Sequence, residues 1–255
     1  MRVTGHELTF VHRIEYNRIT GTAFMLHTPK GSCFVTVSHN VRSCVAGDNI
    51  LFQMSDQWIP AHVDEIIFDP DGYDLCVFSS KTFMMEGMRE IYPVGKGVAL
   101  GDELLFAGFP HGLVSVYEGI GFPVPLVRIA HYSGMISVKG LDIIILDSFN
   151  NPGYSGAPVY HKDDEGTITL FAMISGYRPE KPSHGRIYRK TEDGQEEELP
   201  DIYTKPNSGM TQAIHINMIA RLAMQLKLFN PTVYRYEGPD SDPTREINTP
   251  PDTPG

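Results

Sequence analysis

An all-β sandwich or barrel is the fold class that this sequence predicts. Three observations lead there: short apolar runs recur along most of the chain, glycine, proline and aspartate break them, and nothing repeats as a βαβ unit. In order, the runs are Thr22 to Leu26, Phe34 to Val37, Asn49 to Gln53, Ala61 to Phe68, Leu75 to Phe78, Glu103 to Ala107, Arg128 to Val138, Leu141 to Leu146, Ala157 to Tyr160 and Thr167 to Ser175. One stretch reads as a helix. After Asn217, a candidate N-cap, Ile219, Leu222, Ala223 and Leu226 fall at i, i+3, i+4 and i+7, and Asn230-Pro231 marks a stop. That apolar stripe is expected to pack against the barrel body.

Two segments depart from this pattern. From Tyr177 to Ser208 the chain turns polar, with the acidic run Glu192-Asp193-Gly194-Gln195-Glu196-Glu197-Glu198, as in a solvated loop or hairpin. Residues 236–255 are rich in proline and charge and read as a disordered tail, or as a linker to a sensor or other partner domain.

Composition narrows the function classes. A chain of 255 residues, 41% hydrophobic and 20% charged, holds one large β domain or two small ones. A net charge of -10 argues against a nucleic-acid partner. No run approaches the roughly 18 apolar residues of a membrane span, and residues 1–7 lack the apolar core of a signal peptide. Cys33, Cys44 and Cys76 have no short spacing and cannot all be bridged, so a reduced, cytoplasmic chain with three buried thiols is expected. Neither these cysteines nor the 10 histidines show the close ligand spacing of a metal site, so no metal or other cofactor is expected.

The chemistry concentrates in Asp147 to Pro158. Ser155 sits on a Pro-Gly corner with Gly153 and Gly156 near it, between the apolar runs Ile143 to Leu146 and Ala157 to Tyr160. Glycines there let backbone N–H groups turn toward a ligand, and two such groups beside a serine make an oxyanion hole. His39 closes the apolar run Phe34 to Val37. Asp74 opens the run Leu75 to Phe78, where a carboxylate entering the interior needs a hydrogen-bonding partner such as an imidazole N–H. The order histidine, aspartate, serine is that of one of the known catalytic-triad lineages.

With these residues the chain resembles the trypsin-like serine proteases, and most of all their HtrA (Deg) branch. The similar segments run in order: Gly21-Thr22-Ala23-Phe24, Val35 to Val41, Gly72 to Val77, Gly101-Asp102-Glu103 through Gly108 to Gly112, Ser133 to Ser137, Asp147 to Pro158 and Gly209 to Ile214. The resemblance implies two antiparallel six-stranded β-barrels, at about residues 1–100 and 101–214, and a C-terminal helix at about 217–229, within a protease domain spanning 1–235. It implies Ser155 as nucleophile, His39 as general base and then acid, Asp74 as the group that orients the imidazole, and the N–H groups of Gly153 and Ser155 as the oxyanion hole. It also implies a primary pocket based on Phe149 with walls at Ile174, Ser175, Gly176, Tyr177 and Gly209. Because that set lacks a carboxylate, a small or medium apolar residue is expected before the scissile bond.

The chain also departs from the family pattern. Tyr154 stands where trypsin has an aspartate, which argues against activation by cleavage of the N-terminus. Ala157 and Ala23 replace glycines, and too few ordered residues follow the helix for a PDZ-like domain. A serine endopeptidase acting on protein or peptide substrates is therefore the first reading. The alternatives are a catalytically silent module of the same fold that binds peptides or proteins, and a viral protease that processes a polyprotein.

Overall fold

A computed structural model describes residues 5–82, 97–115, 122–163, 166–179, 188–198 and 207–228. After a short helix α1 (Gly5–Thr9), seven strands follow: β1 (Val11–Tyr16), β2 (Ile19–Thr28), β3 (Gly31–Thr36), β4 (Asn49–Met54), β5 (Gln57–His62), β6 (Glu65–Phe68) and β7 (Cys76–Ser79). They pair antiparallel as one sheet in the order β5-β4-β1-β2-β3-β7-β6. A second set comprises β8 (Glu103–Gly108), β9 (Leu126–Val138), β10 (Leu141–Asp147), β11 (Pro158–Lys162), β12 (Ile168–Pro179) and, after the small hairpin β13 (Tyr188–Lys190) and β14 (Glu196–Glu198), β15 (Asn207–His215). These six close into a barrel, β10-β15-β12-β11-β8-β9.

The all-β, two-barrel architecture is the one expected, but the first half has seven strands in a curled open sheet where a six-stranded barrel was expected. The run Ala61 to Phe68 is two strands, because the chain corners at Val63-Asp64. There Val63 exchanges backbone bonds with Gly47 and Asp48, each 2.9 Å, and the Asp64 N–H donates to the Ser79 carbonyl at 2.9 Å. The corner links both rims of the seven-stranded sheet, which curls into a half-barrel. Val11–Tyr16 was not expected as a strand. The proline-rich tail lies outside the described residues, as does the predicted helix stop at Asn230-Pro231.

Helix α2 spans Ile216–Ala223, shorter than expected and one residue earlier. His215, not Asn217, caps it: its Nδ1 accepts the Asn217 N–H at 3.1 Å. Beyond Ala223 the chain tightens, with Gln225 N–H donating to Leu222 and Leu226 N–H to Ala223 carbonyls. Leu226 stays buried although it is past the helix end.

Three apolar cores follow from the alternation of strand side chains. In β2, Ala23 and Met25 face the interior of the half-barrel with Phe34, Phe52 and Phe78, whereas Phe24 and Leu26 face the other way. That second face meets Ala107, Phe109, Tyr160 and Met173 of the closed barrel, along with Ile216, Ile219 and Leu222 of α2. The closed barrel has its own filling, including Leu104, Phe106, Ile144, Leu146, Val159 and Ile174. Helix α2 thus wedges into the junction. Polar contacts fix it to the first half: the Arg221 guanidinium lies 2.6 Å from Asp71, and Lys30 Nζ donates to the Met224 carbonyl at 2.6 Å.

His12 is built into the interior of the half-barrel. Its ring meets Phe34 and Phe52 edge-on, at centroid distances of 5.8 and 5.5 Å. Burial lowers its pKa from 6.5 to about 3, because the charged form would lose its hydration. Between those two values the unfolded chain binds a proton that the folded chain refuses, so acid favours unfolding. From pH 7 to pH 5 this residue alone should lower the unfolding free energy by about 2 kcal/mol, given about 1.4 kcal/mol per pKa unit. Urea titrations at the two pH values test this, with His12→Leu expected to show a correspondingly shallower loss than wild type.

Candidate active site

His39 and Asp74 are brought together by the turns that end β3 and begin β7. Residues Ser38–Val41 wind into a single 3-10 turn. The Ser38 hydroxyl donates to the Leu75 carbonyl at 2.9 Å, pinning this turn to the chain ahead of β7. Asp74 Oδ1 then accepts the His39 backbone N–H at 3.1 Å, while Oδ2 lies 2.5 Å from His39 Nδ1. A proton on Nδ1 satisfies that contact and leaves Nε2 with its lone pair free. The two side chains are 40% and 37% exposed, so the pair opens to solvent along one side.

The turn bearing Ser155 needs its glycines. Gly153 has φ 102° and Gly156 φ 91°. A Cβ would sit 2.2 Å from the Phe109 carbonyl oxygen at Gly153, and 1.9 Å from the Thr22 carbonyl oxygen at Gly156. Within the turn, the N–H groups of Tyr154, Gly156 and Ala157 donate to the carbonyls of Asn151, Ile174 and Tyr154, at 3.1, 2.8 and 2.8 Å. Those of Gly153 and Ser155 have no acceptor among the described residues. The Pro152 carbonyl accepts the His111 N–H at 2.7 Å, and the planar trans peptide therefore aims the Gly153 N–H the opposite way.

Two residues outside the expected site fasten this turn to the first half. The Ser155 carbonyl accepts the Thr22 N–H at 3.1 Å and Asn40 Nδ2 at 3.0 Å. The Thr22 hydroxyl donates to the Gly153 carbonyl at 2.7 Å and accepts the Phe109 N–H at 3.2 Å. Thr36 Oγ1 donates to the Thr22 carbonyl at 2.8 Å and accepts from Asn40 Nδ2 at 3.1 Å. Asn40 directly follows His39, so the serine and histidine segments are joined through it. No hydrogen bond links the Ser155 hydroxyl to the His39 ring among the described residues. In the sequence these fasteners have no chemical signature beyond the adjacency of Asn40 to His39; the structure shows why Gly21 precedes Thr22, since a Cβ there would meet the Asn40 side chain at 2.2 Å.

The expected pocket residues divide. Phe149 is 54% exposed and its ring lies beside Gly209, 3.8 Å from where a Cβ would be, so it flanks the surface instead of forming a buried base. The next residue, Asn150, is the buried one, its carbonyl held by Asn207 Nδ2 at 2.6 Å. Ile174 is fully buried in the closed barrel, and both its backbone groups bond to Gly156 and Ala157. Ser175 and Gly176 are half-buried and Tyr177 is exposed, with the Ser175 hydroxyl donating to the Gln212 carbonyl at 3.3 Å. Tyr154 packs its ring edge-on against Phe106 at 4.9 Å, and burial raises its pKa. Cys33, Cys44 and Cys76 are unbridged and buried, and burial pushes the Cys33 and Cys44 thiols up to about 12 and about 11.

The architecture is the trypsin-like fold, and the chain is similar to HtrA-type proteases of known structure. It superposes on the HtrA-type protease AlgW with tripeptide at a TM-score of 0.55 and 17% identity, over 87% of this chain and 61% of that one. It matches the Rv3671c protease from M. tuberculosis, active form, at 0.54 and 15%, over 89% and 85%. It matches the serine endoprotease from Yersinia pestis at 0.53 and 16%, over 87% and 64%. The chain thus spans less than two thirds of the AlgW and Yersinia chains. No protein-family model and no curated protein sequence matches it.

The close approach of Gly156 to Thr22 yields a sharp expectation. Gly156→Ala combines a positive φ with a backbone clash and should cost at least about 3 kcal/mol of stability, in the range of severe single substitutions. Asn40→Ala, which removes one donor from the Ser155 carbonyl, should cost about 1–3 kcal/mol. Denaturant unfolding of both variants measures these losses, and a Gly156→Ala protein as stable as wild type would contradict the packing described.

Proposed function

We propose that the protein is a serine endopeptidase that cleaves peptide bonds through an acyl-enzyme. The observation that carries this reading is the His39–Asp74 contact with Nε2 left free, on a turn fastened through Asn40 to the backbone of Ser155. A serine alcohol is a weak nucleophile and needs an adjacent base. In the proposed reaction Nε2 takes the Ser155 Oγ proton as Oγ attacks the substrate carbonyl. The unengaged N–H groups of Gly153 and Ser155 receive the oxyanion. The imidazolium, held by the Asp74 carboxylate, then protonates the leaving amine, and water releases the acyl group by the reverse route. Serine and histidine must come into hydrogen-bond contact for this, and such contacts commonly tighten only when substrate is bound.

The substrate class is protein or peptide. The AlgW structure is described as holding a tripeptide, which supports a peptide-binding cleft in a protein of this fold. Phe149, Ser175, Gly176, Tyr177 and Gly209 would line the primary pocket, and their lack of a carboxylate favours a small or medium apolar residue before the scissile bond.

A fluorophosphonate probe should label the wild-type protein at Ser155 and leave folded Ser155→Ala unlabelled. Labelling of another residue, or none on the folded wild type, would overturn the assignment and favour a silent peptide-binding module. Asp74→Asn should lower kcat by about 10⁴-fold while leaving the fold intact, because the imidazole would then be held in the wrong tautomer. Steady-state kinetics on a cleaved peptide, with a melting curve for the variant, reads this directly.

A further inference from the structure

Beside the His39–Asp74 pair lies a cavity of about 260 Å³ lined by Ser38, His39, Arg42, Ser43, Phe68 and Asp74. It is smaller than the roughly 300–1,000 Å³ typical of small-molecule sites, and suits a single side chain. Arg42 brings the cavity its cation. Its side chain is exposed and forms no ion pair among the described residues. Neither Asp48, six residues on, nor Asp74 of the cavity lining pairs with it. Asp48 accepts the Tyr16 hydroxyl at 2.8 Å and the Val45 N–H at 3.0 Å, while Asp74 has one oxygen on the His39 N–H and the other on Nδ1. The loop carrying Arg42 is fixed in shape. Ser43 adopts φ 68°, its carbonyl accepts the Tyr16 hydroxyl at 3.4 Å, and the Cys44 N–H donates to the Val41 carbonyl at 3.0 Å. In a chain of net charge -10, an unpaired guanidinium held at the rim of the reactive pair is a selective feature.

We propose that this cavity is a subsite for an acidic side chain, an Asp or Glu within two residues of the scissile bond, with Arg42 as its specificity-determining residue. The inference rests on the protease reading and deepens it. The carboxylate would meet the guanidinium while its methylene stem lies against Phe68. The seated side chain would also cover the open flank of the Asp74–His39 contact, strengthening that contact by excluding water. The Asp74 charge opposes an incoming anion, so the subsite depends on the Arg42 guanidinium to outweigh it.

The test uses matched peptides carrying Glu, Gln or Lys at each of the two positions on either side of the cleaved bond. For the wild type, kcat/KM should favour Glu over Gln by about fivefold at one of these positions, the size of one good partly exposed ion pair. Arg42→Gln should abolish that ratio, and Arg42→Glu should invert it toward Lys. Equal rates for Glu and Gln at all four positions, or a Glu preference surviving in Arg42→Gln, would overturn the subsite. Binding of the same peptides to Ser155→Ala, and to its Arg42→Gln derivative, reads the cavity without turnover. Absent hydrolysis by the wild type with the Glu preference kept in binding would sink only the protease reading, and equal binding would sink the subsite.

Discussion

Everything in this structure that bears on chemistry depends on a buried polar bridge between the two halves. Thr22, Thr36 and Asn40 from the half-barrel bond to one another and to the carbonyls of Gly153 and Ser155 in the closed barrel. Unpaired, these carbonyls and hydroxyls would each cost about 1–3 kcal/mol in the dry junction. Paired, they register one half against the other to within a hydrogen-bond length, something that apolar packing around Phe24, Phe109 and Tyr160 cannot do alone, because dispersion and hydrophobic contacts lack direction. The glycines belong to the same device. Gly156 lets two backbones approach more closely than any side chain would allow, and Gly21 leaves room for the Asn40 amide.

The apolar cores divide the labour in a corresponding way. Each half fills its own interior, so each has a reason to form from local strand pairing, and a third core seals the two together with α2 as its wedge. Strands β2 and β3 serve two cores at once. Their opposite faces are both buried, which is why Ala23-Phe24-Met25-Leu26 reads as an unbroken apolar run instead of an alternating one.

That double burial also explains which parts were legible in the sequence. The runs buried on both faces, such as Thr22 to Leu26 and Phe34 to Val37, stood out; β1 did not, because His12, Arg13 and Glu15 interrupt it, although His12 is itself interior. The corner at Val63-Asp64 was passed over because apolar residues flank it on both sides, Ala61 and Val63 before and Ile66 to Phe68 after, although Asp64-Glu65 interrupts them. The helix stripe ran past the helix, since Leu226 keeps its burial through a tightened turn. Asn217 has the better intrinsic capping propensity, yet His215 supplies the cap because β15 delivers it there. At the site, residue types that chemistry requires were readable from the turns that hold them. The fasteners Thr22 and Asn40 were not, because threonine and asparagine beside a strand carry no chemical signature until a partner carbonyl is known. Past the end of β10 the chain leaves Phe149 exposed and buries Asn150, a division that the residue types alone do not reveal.

The bridge grips Ser155 by its main chain and leaves the hydroxyl untouched. The architecture is consequently indifferent to what residue 155 carries beyond its Cβ. A lineage with this scaffold could place cysteine or alanine at position 155 while retaining both halves in alignment.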